Sequence, residues 1–472
     1  MLNHQLAHLR FLVISSALLL SACSTLPDPV LKADTPDRWR NTLTKSDSEV
    51  SPTAAWWSSL NDPLLNKSVE LALKQNLSLA QALERLSAAN ASEKATIDGQ
   101  YPRIDFMAGP DNSTLTQQTG NTLTTRGAYI AGFDLIWELP IFGRNESQQK
   151  VAKAATATVE ADLRSTKISI SAEVVRAYGQ LRAAQDRLGM IDGLVSHHQT
   201  LAALIVKGQQ AGLLADAEQD GSRSALADLH NQQLTAFTQK ESALQRLSVL
   251  CGLSSPLADW LNLPNTPWVL IHSAKPPATL PADLIRSRPD IHHAEAVVLQ
   301  ASGELGIAHA DLYPKLAIEG ALMARYGSRK TQSITFLAPS VRIPLLDWGL
   351  AREVVNAREA KLREAILAYR EAVLLAIEDT ENSLASFNAS EDRLASTEKA
   401  IGYINSKSEK IESAFKAGYL NRPELLRLEI KSLEQESQLI DSKVAWVDDF
   451  AAANKALSTM SIASSTLVVP TK

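Results

Sequence analysis

The 472-residue chain repeats itself. The segment QYPRIDFMAG at 100–109 returns as LYPKLAIEGA at 312–321, with Tyr101 and Tyr313 separated by 212 positions (313 − 101). ELPIFGRN at 138–145 returns as RIPLLDWGLA at 342–351, where Pro140 and Pro344 are 204 apart. KGQQAGLLADAEQD at 207–220 returns as FKAGYLNRPELLRLE at 415–429, where Gly212 and Gly418 are 206 apart. Three anchors in one order at nearly one offset identify a tandem duplication with small insertions. The chain must therefore build one kind of unit twice, and each half checks the reading of the other.

Each half opens with a helix, roughly Ser78 to Asp98 and Ile291 to Asp311, which a Tyr-Pro pair ends because proline disfavours helical backbone in the residue before it. Two strand-like stretches follow. In AYIAGFDLIWE, Tyr129, Ala131, Phe133, Leu135 and Trp137 fall on one face, and Ile130, Gly132, Asp134, Ile136 and Glu138 on the other. In the second half Leu316, Ile318, Gly320, Leu322 and Tyr326 face away from Lys315, Glu319 and Arg325. One aromatic-apolar face and one partly charged face fit a barrel wall between lipid and water. The alternation by itself fits equally a soluble sheet packed on one side.

Long helices come next. No proline occurs between Pro140 and Pro256 or between Pro344 and Pro423. Ile170, Val174, Ala177, Leu181, Ala184, Leu188, Ile191 and Val195 step by alternating fours and threes, a heptad stripe, and Leu362, Ile366, Tyr369, Val373 and Ala376 follow the same rule. Asn145 to Gln210 as one helix measures roughly 100 Å. A plain coiled-coil tether does not explain why each helix doubles back at a glycine-containing turn.

The N-terminus supplies the compartment. Arg10, the apolar run Phe11 to Leu20 and the small residues Ser21 and Ala22 have the layout of a secretory signal, too short to span a bilayer. Leu20-Ser21-Ala22-Cys23 resembles a bacterial lipobox, in which the cysteine is cleaved to the N-terminus and acylated; several acyl chains anchor stably where one does not. The alternative is an ordinary cleaved signal with an incidental cysteine. Ser24, in place of Asp, fits lipoproteins sent to the outer membrane. The other cysteine, Cys251, reads as a small buried residue at a helix end with Gly252 as terminator, so no disulfide framework is expected. No other apolar run reaches 18 residues, which leaves β-strands as the membrane-crossing elements.

Strand number then fixes assembly. Two hairpins supply four strands, and about eight are needed before a barrel closes around its own side chains. Edges cannot be left open in lipid, so several chains must share one barrel; three would give twelve strands. The net charge of −5 excludes nucleic-acid binding through a global basic field. His197-His198 and His292-His293 point about 100° apart on a helix, whereas chelation on one helix needs i,i+4 spacing, so they read as solvated. No phosphate-binding glycine loop, HExxH, GxSxG or cysteine cluster appears, and an enzyme is not expected.

These motifs resemble the TolC-type outer-membrane efflux channels, in the lipoprotein (NodT-like) branch. The resemblance rests on 280–321, with Arg288-Pro289-Asp290-Ile291, Ala294-Glu295 and Gly306-Ile307-Ala308 before the Tyr-Pro, and on 56–86, with Trp56, Asp62-Pro63 and Asn76. It covers Cys23 to about Ala456. It implies a mainly α protein with a membrane β-barrel part: a duplicated protomer giving four strands to a trimeric twelve-stranded barrel and long helices to a periplasmic α-barrel. It implies no cofactor beyond the lipid on Cys23. The implied partners are two further copies of the chain, a periplasmic adaptor, an inner-membrane pump and outer-membrane lipid. The function implied is passive conduction of drugs or other small toxic compounds out of the cell; metal-ion efflux, type I protein secretion, and a structural coiled-coil lipoprotein are the alternatives. The expected organisation is a signal peptide at 1–22, a lipidated N-terminal and equatorial segment at 23–77, a first repeat at 78–255, a linker at 256–289, a second repeat at 290–457 and a tail at 458–472.

Gating in the family sits at the periplasmic turns. Glu218 and Glu424, each six residues past Gly212 and Gly418, fall where such tips carry acids, while Arg427 replaces a common aspartate. The spacing allows Arg427 to latch the closed tip by pairing with Glu424 or Glu218. It allows equally a local arrangement in which Asn421 caps the helix, Glu424 completes a capping box and Arg427 makes an i,i+3 pair with Glu424. Two further departures from the family pattern are Pro140-Ile141-Phe142-Gly143 at the strand-to-helix junction and DDFAAANKALS where a glycine-rich ending is common.

Overall fold

A computed structural model describes residues 29–31, 35–41, 55–111, 116–119, 122–125, 128–212, 216–263, 268, 274–277, 281–326 and 331–458. Cys23 and the rest of the leader lie outside these residues.

A short 3₁₀ turn at Trp56–Leu60 precedes α1 (Pro63–Gln75) and α2 (Leu77–Asp98). The strands β1 (Arg103–Asp111), β2 (Thr116–Thr119), β3 (Thr122–Thr125) and β4 (Ala128–Glu138) lead into α3 (Arg144–Gln210) and α4 (Asp216–Leu250). Two short helices, α5 (Ala258–Leu261) and α6 (Pro281–Ser287), separate these from α7 (Pro289–Ala310), β5 (Lys315–Tyr326), β6 (Thr331–Arg342), α8 (Leu350–Lys416) and α9 (Arg422–Ala456). The duplication is visible in element length: α2 and α7 have 22 residues each, α3 and α8 have 67, and α4 and α9 have 35. No helix among the described residues is long and apolar enough to cross a membrane.

The chain divides into two compact units. The first takes in residues 84–161 and 292–372 and holds an antiparallel sheet in the order β1-β4-β5-β6, with β2 and β3 paired separately. Both helices that precede the sheet end alike. Tyr101 N–H donates to the Asp98 carbonyl and Tyr313 N–H to the Ala310 carbonyl, each at 3.2 Å, before the proline. Within the first hairpin Arg103 is paired with Ile136, and within the second Lys315 is paired with Arg342. Since β5 matches β1 at an offset of 212 (315 − 103), β6 matches β4 at 206 (342 − 136). The helices α3 and α8 start at that same offset (350 − 144). Pro140 and Pro344, 204 apart in sequence, are therefore not structural equivalents; Glu138 matches Pro344. A slip of two leaves every side chain on its face, so this mismatch does not disturb the alternation. Phe142 and Trp348 do correspond, and both hold left-handed backbone, at φ 58° and 55°.

The second unit takes in residues 34–83, 162–291 and 373–472. Its core is the heptad stripe. Ile170, Val174, Ala177, Leu181, Ala184 and Ile191 are buried, and Leu188 and Val195 pack against a buried cluster that includes Ile191, Leu426, Ile430 and Ile440. Trp446 stacks on Phe450 at 5.0 Å, with Phe387 and Trp56 around them. Asp62 holds α1 to this core. One carboxylate oxygen accepts the Leu64 and Leu65 N–H groups as an N-cap, and the other accepts the Tyr178 hydroxyl at 2.8 Å. Asn76 caps α2 through Leu79 N–H and donates to the Leu250 carbonyl, the last of α4, next to buried Cys251. Arg288 is tied to Asp290, Asp379 and the Ala456 carbonyl, which accounts for the Arg-Pro-Asp-Ile motif as a clasp on the C-terminal helix.

Candidate functional site

Residues directly opposite in a sheet share a face. The registers therefore sort all four long strands. One face carries Ile104, Phe106 and Ala108 of β1, the Tyr129, Ala131, Phe133, Leu135 and Trp137 set of β4, Ile318, Leu322 and Tyr326 of β5, and Leu337 and Val341 of β6. That face has no charged residue. Arg103, Asp105, Asp134, Glu138, Lys315, Glu319, Arg325 and Arg342 all lie on the other face. The uncharged face is open. Phe106, Phe133, Tyr129, Leu322, Tyr326, Leu337 and Val341 are each at least half exposed, so no layer of the described chain packs over them. A soluble sheet resting on its own core would have this ladder covered; a contiguous exposed apolar surface of this kind needs lipid or a partner. Phe106 and Phe133 meet edge-on across β1 and β4, with ring centres 5.3 Å apart.

The turns at the far ends of the long helices lie in the second unit. Gly212 and Gly418 follow α3 and α8 with φ of 69° and 80°, backbone that a side chain resists. At Gly418 the cap is complete: Tyr419 N–H donates to the Ala414 carbonyl at 2.9 Å and Gly418 N–H to that of Phe415 at 3.0 Å, a Schellman arrangement. Asn421 then opens α9. Its side chain accepts Glu424 N–H, and the Glu424 carboxylate accepts Asn421 N–H, the reciprocal box expected from the sequence.

Arg427 does not use Glu424. Its guanidinium donates to Glu218 Oε2 at 2.9 Å, joining the start of α9 to the start of α4. Of the two carboxylates six residues past the tip glycines, one is spent on a cap and the other on an ion pair between the halves. Both members of the pair are about half exposed. They border an open groove of about 730 Å³, lined also by His198, Ser222, Lys431 and Glu434 over the apolar Leu201, Ile205 and Ile430. His198 is partly buried here, and burial holds its pKa below the usual histidine value, against the opposing pull of Glu434. His197 Nδ1 lies 3.3 Å from Glu429. These two histidines are half-buried, not solvated as read; their partners come from another helix, which spacing along one helix does not disclose. No group of His, Cys, Asp and Glu that could hold a metal ion occurs among the described residues.

A family model described as "Outer membrane efflux protein" matches residues 68–253 and 280–459. The chain is 26% identical over 454 residues to "Outer membrane protein OprJ" of Pseudomonas aeruginosa, covering 92% of this chain and 93% of that protein. It is 26% identical over 378 residues to "Nodulation protein T" of Rhizobium leguminosarum bv. viciae, covering 78% and 76%. Among solved structures, the outer-membrane channel OprN superposes with a TM-score of 0.79 at 27% identity, over 92% of this chain and 99% of that one. The Campylobacter jejuni CmeC outer membrane channel shares the fold at a TM-score of 0.80 and 19% identity, over 93% and 95%.

Proposed function

The chain belongs to the outer membrane efflux protein family, and from that premise we propose that it is the outer-membrane duct of a tripartite exporter for drugs or other small toxic compounds. The observation that carries this reading is the sorting of charge in the sheet, with an open apolar ladder on one face and all eight named charges on the other. The first face suits acyl chains and the second a hydrated lumen. Four strands cannot close, so three copies share a twelve-stranded barrel with room for water and solute. The residues do no chemistry on the cargo. They hold a polar wall open, and transport is driven by an inner-membrane pump through a periplasmic adaptor.

Two finer elements belong to this reading. Cys23 carries the lipid that holds the N-terminus at the outer membrane. The Arg427–Glu218 pair latches the closed tip by fixing the start of the second return helix to that of the first. An exposed pair contributes less than about 1 kcal/mol. Three together shift the closed–open balance by at most about a hundredfold, weak enough for a docking partner to overcome.

The test is assembly plus conductance. Full-length chain extracted in detergent is expected to sediment as three copies and to pass ions in a planar bilayer. A monodisperse single subunit that passes no current would end the proposal.

A further inference from the structure

The charged face of the sheet is not polar throughout. Met107, Ile136, Ile334 and Phe336 lie on it, and each is more than a third exposed. Building on the shared-duct reading above, we propose that each copy carries on this inward wall a seat for an organic ammonium ion, formed by the Asp134 carboxylate and the Phe336 ring on either side of Ala321.

The register places the parts. Asp134 of β4 is opposite Ala321 of β5, and Ala321 is opposite Phe336 of β6, so the three form one row across three strands. Neighbouring strands lie about 4.8 Å apart, which sets the backbones of Asp134 and Phe336 about 10 Å from each other with only the Ala321 methyl group between. Ala321 is buried, a low floor between two taller side chains. The next row on the same face is Met107, Gly132, Met323 and Ile334, without a polar side chain. Gly132 has no room for one: an added Cβ would stand 2.2 Å from the Leu322 carbonyl oxygen.

Charge supplies the second half of the argument. Asp105 lies directly opposite Asp134, and like charges so placed weaken a strand pair. Asp105 is compensated by Arg103 at 2.7 Å, and Glu319, in the row on the other side, accepts the Ser340 hydroxyl at 2.9 Å. Asp134 is half-buried, and no cation among the described residues pairs with it. A carboxylate lacking a counter-ion, an aromatic face and an adjoining hydrocarbon row together suit a cation that carries an apolar body. The carboxylate matches its charge, the ring gives a cation–π contact, and the methionine and isoleucine side chains cover the rest. An anion of the same shape would meet three carboxylates. A bare inorganic cation would gain nothing from the apolar row. Inside a closed ring neither lipid nor a neighbouring copy reaches this wall, so a solute in transit is what can cover its exposed apolar side chains. The seat is shallow and faces water. Weak binding suits a duct, since a station on a conduction path must release what it holds.

Saturation-transfer NMR on the full-length chain, extracted in an uncharged detergent, tests the seat with benzyltrimethylammonium as the probe. Half-saturation is expected in the millimolar range. Asp134→Asn and Phe336→Leu are each expected to weaken binding about two- to fivefold, the range of one exposed contact of either kind. Asp134→Asn also removes a like-charge opposition, so the sheet should tolerate it. Phe106→Leu, on the uncharged face, is expected to leave binding unchanged. Tetramethylammonium has the charge without the ring, and phenylacetate the ring with the opposite charge; both are expected to bind more weakly than the probe. Suppose the material sediments as three copies and passes ions. If it then fails to bind the probe, binds phenylacetate as well, or keeps full probe binding in either variant, the seat is overturned and the duct stands. A single subunit that passes no current overturns both.

Discussion

At the scale of single residues, the carboxylates near the two glycine turns divide between two tasks. Glu424 is held by its capping box, and Arg427 does not pair with it. Glu218, near the start of a helix on the other hairpin, takes the guanidinium instead. If the pair latches the closed tip, Arg427→Ala and Glu218→Ala should each raise the resting current in a planar bilayer, and the double variant should match either single one, because both remove the same contact. Unchanged current in both would leave the pair as surface decoration. The cap was legible in the sequence because Asn421 and Glu424 lie three apart on one helix. The choice of Glu218 over Glu424 was not, since it depends on how two helices are rotated against each other.

At the scale of elements, the strand-to-helix junctions differ in a way that separates the halves. Asp347 accepts N–H groups from Ala351 and Gly349, and these bonds hold its carboxyl pKa below the usual range. The equivalent residue in the first half is Ile141, which offers no such acceptor. A carboxylate whose pKa is lowered by folding stabilises above its ordinary pKa and loses that contribution as pH falls through the folded value. Asp347→Ala should therefore speed amide exchange in the first turn of α8 at neutral pH, and the difference from the parent chain should close on acidification below the usual carboxylate range. A difference that persisted in acid would point to packing and away from the cap. Most elements could be read from periodicity: β4 runs over the AYIAGFDLIWE stretch, and the stripe from Ile170 to Ile191 lies in the core. Two things could not. The Pro140–Pro344 match misplaced the equivalence by two residues because both prolines sit in similar words. The stacking of Phe142 on Tyr313 joins residues 171 positions apart (313 − 142), which no local pattern encodes.

At the scale of the whole molecule, anchoring and spanning are separate means of staying in the membrane. If the proposed reading holds, the open aromatic ladder gives the sheet an affinity for lipid of its own, separate from the proposed acylation at Cys23. Cys23→Ser, with a cleavable signal kept ahead of it, should still yield material that resists carbonate extraction, while the fraction reaching the outer membrane falls in a sucrose-gradient separation. Full release by carbonate would mean that the lipid alone holds the protein there. The duplication bears on how such a ring comes together. A closed ring of six half-units joined only by collision must form every junction at cellular concentration. In the proposed ring of three copies every second junction is made as the polypeptide folds, where tethering supplies an effective concentration on the order of millimolar. The problem of gathering six bodies becomes one of gathering three, and no partial ring can contain an odd number of halves.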